Sequence, residues 1–365
     1  MKIFNFFKRR IFMGKIKIDN EVLNYAVFGG NILGGGGGGS RKVGMELGKA
    51  ALGYGNIQML DIDDIPEDRL IITCSAVGAP AANLQRMSPE DAIDAIKIFE
   101  QNVDKKIGGI ITNENGGGSS INGWIQSAAL DLPLVDAPCN GRAHPTGVMG
   151  SMGLNNIKDY VSCQTAVGGN PEINKHIEIF VKGSIENTSN MVRKASVCAG
   201  GLVAVVRNPV TVKYVKKNAA LHGVKHAIEL GKVFLKALGK NPCTAPEKTA
   251  EYLNGEVIAD GRVDRIDLKT SGGFDTGKVR VGSFEITFWN EYMTLEKNGE
   301  RLASFPDLIM TFDSNTGLPV TSAEIKKDQN VKILKTSREN LRLGSGMRDV
   351  NLITQAGEIV NKKIL

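Results

Sequence analysis

The sequence is short of the residues that mark a secreted, zinc-ribbon or membrane-spanning protein. It has 5 cysteines, Cys74, Cys139, Cys163, Cys198 and Cys243. The set is odd in number, widely spaced and without a CxxC pair, which excludes a disulfide framework and a cysteine-based structural zinc site. A reducing, cytoplasmic location is expected. No apolar run is long enough to span a bilayer, so no integral membrane association is expected. A dense basic stripe is also missing. The net charge is +6, but Lys2, Lys8, Arg9 and Arg10 account for four of it, and the remaining excess is too small and scattered for nucleic acid to be a partner. Those four bases lie in an extension, residues 1–13. A signal peptide is not expected, because the charges follow the apolar residues and no apolar run of about 7–15 residues precedes a small-residue cleavage site; a frayed extension, or a start upstream of Met13, is the plainer reading. Phe4, Phe6, Phe7 and Phe12 interleaved with bases would suit weak contact with a membrane surface.

What is present suffices for a full-sized core: 42% apolar and 23% charged residues over 365 positions, a size for two domains. The first, over 14–170, reads as alternating strand and helix. Strands are expected at 15–18, 57–61, 70–76, 107–112 and 132–137. Helices are expected from the cap Asp19 to Phe28, from the cap Ser40 to Tyr54, after Ser88-Pro89-Glu90-Asp91, and from Ser120 to Leu130. That alternation indicates βαβ units and a largely parallel sheet. The second, over 171–365, reads as a strand near His176–Lys182, helices at 209–219 and 223–238, and a β-rich stretch over 255–335. Turn signals at Asn298-Gly299 and Asn315-Thr316-Gly317 predict an antiparallel sheet or small barrel there.

The run Gly34–Gly39 is the strongest local feature. Six glycines make a poor helix or strand, but they offer bare N–H groups and free φ to a ligand. They also lead into a helix N-terminus, which favours anions. Gly36, Gly37, Gly38 and Ser40 are the candidate binding residues. A Walker A loop is excluded, because Ser40-Arg41 follows Gly39. A dinucleotide loop would need an acid such as Asp61 after the next strand.

A second cluster runs from Glu114 to Gly147, at the expected C-terminal ends of strands, where open sheets bind ligands. Glu114 is a candidate base beside the glycine turn that holds Gly117. Asp136, Cys139, Asn140, Arg142 and His144 supply a carboxylate, a possible nucleophile, an amide, an anion clamp and a base active near neutrality. Asp136 has a plainer reading as a turn cap, Arg142 as a structural bridge, and Cys139 as a small buried residue. His222 and His226, four apart on an expected helix, have a metal-binding spacing but no evident third ligand. No metal ligand is assigned, and the cofactor is left unknown, with a divalent ion an alternative to a side-chain base.

Taken together, Leu33–Ser40, Gly78-Ala79-Pro80, Glu114 with Gly116-Gly117, Leu132–Pro145 (LPLVDAPCNGRAHP), Thr287–Glu291 (TFWNE) and Phe305–Ile309 (FPDLI) resemble the S-methyl thiohydantoin desulfurase family over about 15–334. The family's central pattern is similar to Asp-x-Asp-Gly-x-Gly-Arg-Ala-aromatic-Pro-Glu. This chain keeps Asp136, Gly141, Arg142, Ala143 and Pro145, and has Pro138, Cys139, His144 and Thr146 where the pattern has Asp, Gly, an aromatic and Glu. The resemblance implies a three-layer α/β/α domain, a β-rich domain and a site near their junction, with Asn290, Glu291 and Asp307 facing it. It implies hydrolysis of a C–S or C–N bond in a small cyclic amide or thiohydantoin, with Glu114 or His144 as base, or Cys139 as nucleophile. Two rivals stand beside this: a non-catalytic metabolite- or nucleotide-binding subunit partnering a hydantoinase-type enzyme, and a nicotinamide-dependent oxidoreductase. The expected partner is a small-molecule substrate, and a homo-oligomer is compatible with the sequence.

Overall fold

The computed structural model describes residues 15–79 and 82–364. The 1–13 extension and Pro80 lie outside the described residues. No described helix is long and apolar enough to cross a membrane.

Two sheets organise the chain. The first contains β1 (Ile16–Lys17), β2 (Gln58–Leu60), β3 (Leu70–Gly78), β4 (Ile107–Thr112), β5 (Leu134–Val135), β6 (Ser162–Gly168), β7 (Ile177–Gly183) and β8 (Leu202–Thr211), in the order β1-β2-β5-β4-β3-β8-β6-β7. It is a mixed sheet rather than a largely parallel one. The β2–β5, β5–β4 and β4–β3 pairs are parallel, as βαβ units require. The β1–β2, β3–β8, β8–β6 and β6–β7 pairs are antiparallel.

Local chemistry sets the helix starts. The Asp19 carboxylate accepts the Glu21 and Val22 N–H groups at the start of α1 (Asn20–Leu33), which runs five residues past Phe28. Ser40 caps α2 (Arg41–Tyr54) through the Val43 N–H. Ser88 and Asp91 form a reciprocal capping box on α3 (Pro89–Gln101). The remaining helices are α4 (Trp124–Leu130), α5 (Ile185–Cys198), α6 (Val212–Asn218), α7 (Gly223–Leu238), α8 (Ala245–Tyr252) and α9 (Val350–Ile359). The helix expected from 209 starts instead at Val212, capped by Thr211, because Pro209 still belongs to β8.

The second sheet is antiparallel throughout. It contains β9 (Glu256–Ser271), β10 (Phe274–Val281), β11 (Phe284–Trp289), β12 (Glu291–Lys297), β13 (Glu300–Ser304), β14 (Leu308–Asp313), β15 (Pro319–Val320) and β16 (Asn330–Thr336), ordered β13-β12-β11-β10-β9-β16-β14-β15. Asn298 and Gly299 close the β12–β13 hairpin with φ of 50° and 85°, the positive pair that a two-residue turn needs.

Two helices join the sheets. α1 and α7 touch backbone to backbone: a Cβ on Gly29 would lie 1.8 Å from the Ala227 carbonyl oxygen, and one on Gly231 would lie 1.9 Å from that of Tyr25. Their other faces, with Ile32, Leu33, Leu230 and Phe234, share a core with Leu308, Met310 and Phe312 of β14. The end of α1 is thereby pinned against the second sheet, and this fixes where the glycine run begins.

Candidate functional site

A cavity of about 220 Å³ opens where the glycine run, the C-terminal ends of β3 and β4 and the second sheet's β12 meet. Gly36–Gly39 and Ser40 form one wall. The loop's carbonyls are spent on the scaffold. Gly35 O accepts from Tyr292 N, Gly36 O from Ser322 N, and Gly38 O from both Gly118 N and Ser119 N. No described acceptor meets the N–H groups of Gly38 and Gly39, which leaves them available at the cavity wall beside the start of α2.

The glycines are required for two different reasons. Gly38 has φ of 74°, and a Cβ there would lie 2.5 Å from the Gly116 Cα. At Gly37 a Cβ would lie 2.0 Å from Glu291 Oε1, the movable end of a side chain. Gly38→Ala is therefore expected to destabilise the fold by about 1–3 kcal/mol or more through backbone strain. Gly37→Ala, where a side chain and not backbone must yield, should cost less stability than Gly38→Ala but displace Glu291 and lower turnover by about 10²-fold. Thermal melts and steady-state rates on the two variants check this contrast.

Glu114 and His144 meet at the cavity floor. Glu114 Oε2 lies 3.2 Å from His144 Nε2 and accepts the His144 backbone N–H at 3.0 Å. Glu114 Oε1 accepts from Ser119 Oγ at 2.9 Å. The histidine tautomer follows from its neighbours. Arg207 can only donate, and its Nη2 donates to Asn113 Oδ1 at 2.6 Å. The Asn113 Nδ2 is thereby turned to donate to His144 Nε2, 3.2 Å away. The imidazole proton then sits on Nδ1 and is given to Thr146 O at 2.9 Å.

Electrostatics agree with this assignment. Burial, helped by Arg207, pushes His144 down to about 3, so the ring is neutral. Burial raises Glu114 to about 7, opposed by hydrogen bonds from Ser119 and His144 and by the charges of Arg207 and Arg142. A proton held on Glu114 Oε2 would face His144 Nε2 beside Asn113 Nδ2, which lies 3.2 Å from Nε2 and 3.3 Å from Oε2.

Glu291 is the second carboxyl on the cavity, 2% exposed. Its Oε2 meets no hydrogen-bond donor among the described residues. Burial, with repulsion from Glu114, raises it well above the ordinary carboxyl value, against the pull of Arg142 and Arg193. Asn290 also lines the cavity, but its Oδ1 accepts the Asp275 N–H, so its amide also holds β10 to β12.

Several expected residues lie elsewhere. Cys139 is buried with Sγ 3.3 Å from Thr73 Oγ1, and burial raises its thiol to about 11. The Thr73 hydroxyl and the Arg207 charge favour the thiolate, but burial outweighs them, and Cys139 is not among the residues that line the cavity. Arg142 is wholly buried beneath the glycine run and donates to the carbonyls of Pro306 and Asp307. It acts as a structural bridge, and its charge reaches Glu114 and Glu291 without lining the cavity. Asn140 donates to Met149 O, and Gly117 packs on the Ser40–Arg41 backbone. Asp307 turns to Arg338, accepting from its Nε at 2.9 Å.

Asp136 joins a separate group. Its Oδ1 accepts the Val224 and Lys225 N–H groups, and burial raises it to about 6. Asp61 and His222 stand beside it. His222 precedes α7, with φ of 60°, instead of lying within a helix, and His226 stacks on Tyr252. The metal-type cluster at His222 is with Asp61 and Asp136 instead. A nicotinamide loop fails as well, because a helix, not a strand, enters the glycine run.

The cavity residues that the sequence does not disclose include Asn113, Ser119, Arg193 and Arg207. Asn113 and Ser119 flank Glu114 closely in sequence. Arg193 stacks 4.2 Å from the Phe274 ring centroid and donates to Gly78 O, Gly273 O and Pro145 O, tying α5 to both sheets.

A two-sheet α/β protein with an acid–histidine cavity at the junction of its sheets is the class these features define. Family models described as the S-Me-THD-like N-terminal domain and the S-Me-THD-like C-terminal domain match residues 21–173 and 184–347. The chain belongs to the S-Me-THD-like family, the S-methyl thiohydantoin desulfurase-like proteins. Among solved structures it is similar to the crystal structure of a protein from Chromobacterium violaceum, at 17% identity and a TM-score of 0.68 over 95% of this chain and 96% of that one. That likeness concerns the fold alone. No curated protein matches the chain.

Proposed function

We propose that this cavity hydrolyses a C–S or C–N bond in a small cyclic amide of the thiohydantoin or hydantoin type. The observation that carries the reading is a pair of buried carboxyls, Glu114 and Glu291, on one cavity, with raised affinities for protons and a neutral imidazole against the first. Environments that separate two carboxyls in proton affinity suit a base and an acid working together. Glu114, backed by the His144 lone pair, takes a proton from water as its oxygen attacks the carbon bonded to nitrogen and sulfur. Glu291, whose proton burial and the neighbouring Glu114 hold well above the ordinary carboxyl range, gives it to the ring nitrogen. Collapse of the tetrahedral adduct expels the thiol with a proton returned from Glu114, while the adduct's hydroxyl proton passes to Glu291, which leaves a carbonyl and restores both carboxyls. The N–H groups of Gly38 and Gly39 and the start of α2 offset negative charge developing during the attack.

The test supplies purified protein with an S-methyl thiohydantoin and follows thiol release and ring opening against pH. Activity should rise as Glu114 loses its proton near pH 7 and fall again as Glu291 ionises. Glu291→Gln is expected to lower kcat by about 10²-fold and to flatten the alkaline limb. Saturable binding with no turnover of any hydantoin or thiohydantoin would instead favour a binding subunit.

A further inference from the structure

We propose that Asp61, Asp136 and His222 form a binding site for a divalent transition ion, Zn²⁺ being the best match, separate from the cavity. Asp61 follows β2 and Asp136 follows β5, so both leave the C-terminal ends of adjacent parallel strands. Open sheets gather ligands at this edge. The His222 loop closes over them, held by its backbone N–H to Asp136 O at 2.9 Å.

The spacing suits a metal. His222 Nδ1 is 3.4 Å from Asp61 Oδ1 and 3.9 Å from Asp136 Oδ2, and one donor atom of each residue lies within 4.8 Å of the others. Donors on a tetrahedral ion with bonds of about 2.0–2.1 Å stand about 3.3–3.4 Å apart. Small rotations of three side chains would bring these atoms to that figure.

An independent observation points to a ligand. Asp136 is 1% exposed, and its Oδ2 meets no hydrogen-bond donor among the described residues while aimed at His222. His222 Nδ1, on a partly exposed side chain, makes no well-aligned hydrogen bond among the described residues and has Asp61 Oδ1 at 3.4 Å. Leaving the Asp136 oxygen buried and unmatched is costly, and a cation shared with His222 Nδ1 would satisfy it.

The supporting contacts orient the donors. Val224 N and Lys225 N hold Asp136 Oδ1 at 2.8 and 3.3 Å, which directs Oδ2 inward. Lys225 Nζ holds Asp61 at 2.6 Å. Such outer contacts fix donor geometry in metal sites. His222 is partly exposed, which supplies an entry path. One nitrogen and two carboxylate oxygens, with water completing the shell, select Zn²⁺ or a similar ion over Mg²⁺ or Ca²⁺.

Full-length protein stripped with chelator and titrated with Zn²⁺ should take up one equivalent per chain and melt at a higher temperature. Co²⁺ in its place should give visible d–d bands. His222→Asn, which keeps a residue suited to positive φ, should weaken binding at least about tenfold and abolish those bands. His226→Ala and His176→Ala should change neither. Because Asp136→Asn alters the seat of α7, His222→Asn is the deciding variant. No uptake by the parent protein, or uptake that survives His222→Asn, overturns the proposal. Neither result depends on catalysis in the cavity.

Discussion

Glu114→Gln is expected to lower kcat by about 10²–10⁴-fold, the usual span for losing a general base, with little change in fold. Glutamine keeps the length of the side chain. Its oxygen can still accept the His144 N–H, and its amide can still meet Ser119 Oγ, the two contacts that seat Glu114 now. What it cannot do is take a proton. The pH profile separates this from a packing defect. In the parent protein the activating limb should lie near 7, where burial has placed Glu114; in the variant that limb should disappear, not shift.

Stability carries the same signature. The Glu114 carboxyl binds its proton more tightly folded, at about 7, than its ordinary 4.5, so the folded state takes up a proton between those values. Its contribution is complete below 4.5 and is lost as pH rises through 7. Denaturation curves collected across that window should show a shallower fall for Glu114→Gln than for the parent. Parent-like turnover in the variant would remove Glu114 from the chemistry.

The parts of this site that the sequence discloses are those set by local chemistry. Asp19, Ser40 and Ser88 mark helix starts because each accepts N–H groups two or three residues away. Glu114 is visible because it follows an apolar strand directly. Asn290 and Glu291 are legible only through the family resemblance, since nothing around them announces a cavity. The hidden parts depend on long-range pairing. β8 contains Asn208-Pro209, which reads as a breaker. In the fold those two residues sit where the β3–β8 register shifts, between the Ile71–Val210 and Thr73–Arg207 partners, an irregularity that accommodates proline within a sheet. Arg207 lies on the strand that this pair disguised. Asp136 and Glu114 look equivalent in sequence, each closing a parallel strand. The sheet order separates them: β5 lies against β2, which gives Asp136 the company of Asp61, while β4 lies against β3 and the cavity.

Arg142→Ala should be the most destabilising single change at the site, at about 3–5 kcal/mol. Arg142 is 0% exposed. Its guanidinium lies 4.7 Å from the Phe305 ring centroid and donates to Ala143 O, Pro306 O and Asp307 O. A Cβ on Gly35 would lie 2.7 Å from its Nη2. One side chain therefore fastens the segment after β5, the turn before β14 and the base of the glycine run. Alanine would leave these carbonyls without a donor and open a cavity between the sheets. It would also remove a positive charge that favours ionised Glu114 and Glu291, so the activating limb of the residual activity should move to higher pH. Arg142→Lys tests the two roles separately. Lysine keeps the charge but lacks the planar fork, so it should lose stability while holding the limb near its parental position. Urea denaturation and kcat/KM profiles measure both effects, and a loss below about 1 kcal/mol for Arg142→Ala would show that the buried guanidinium is not what binds the two sheets around the cavity.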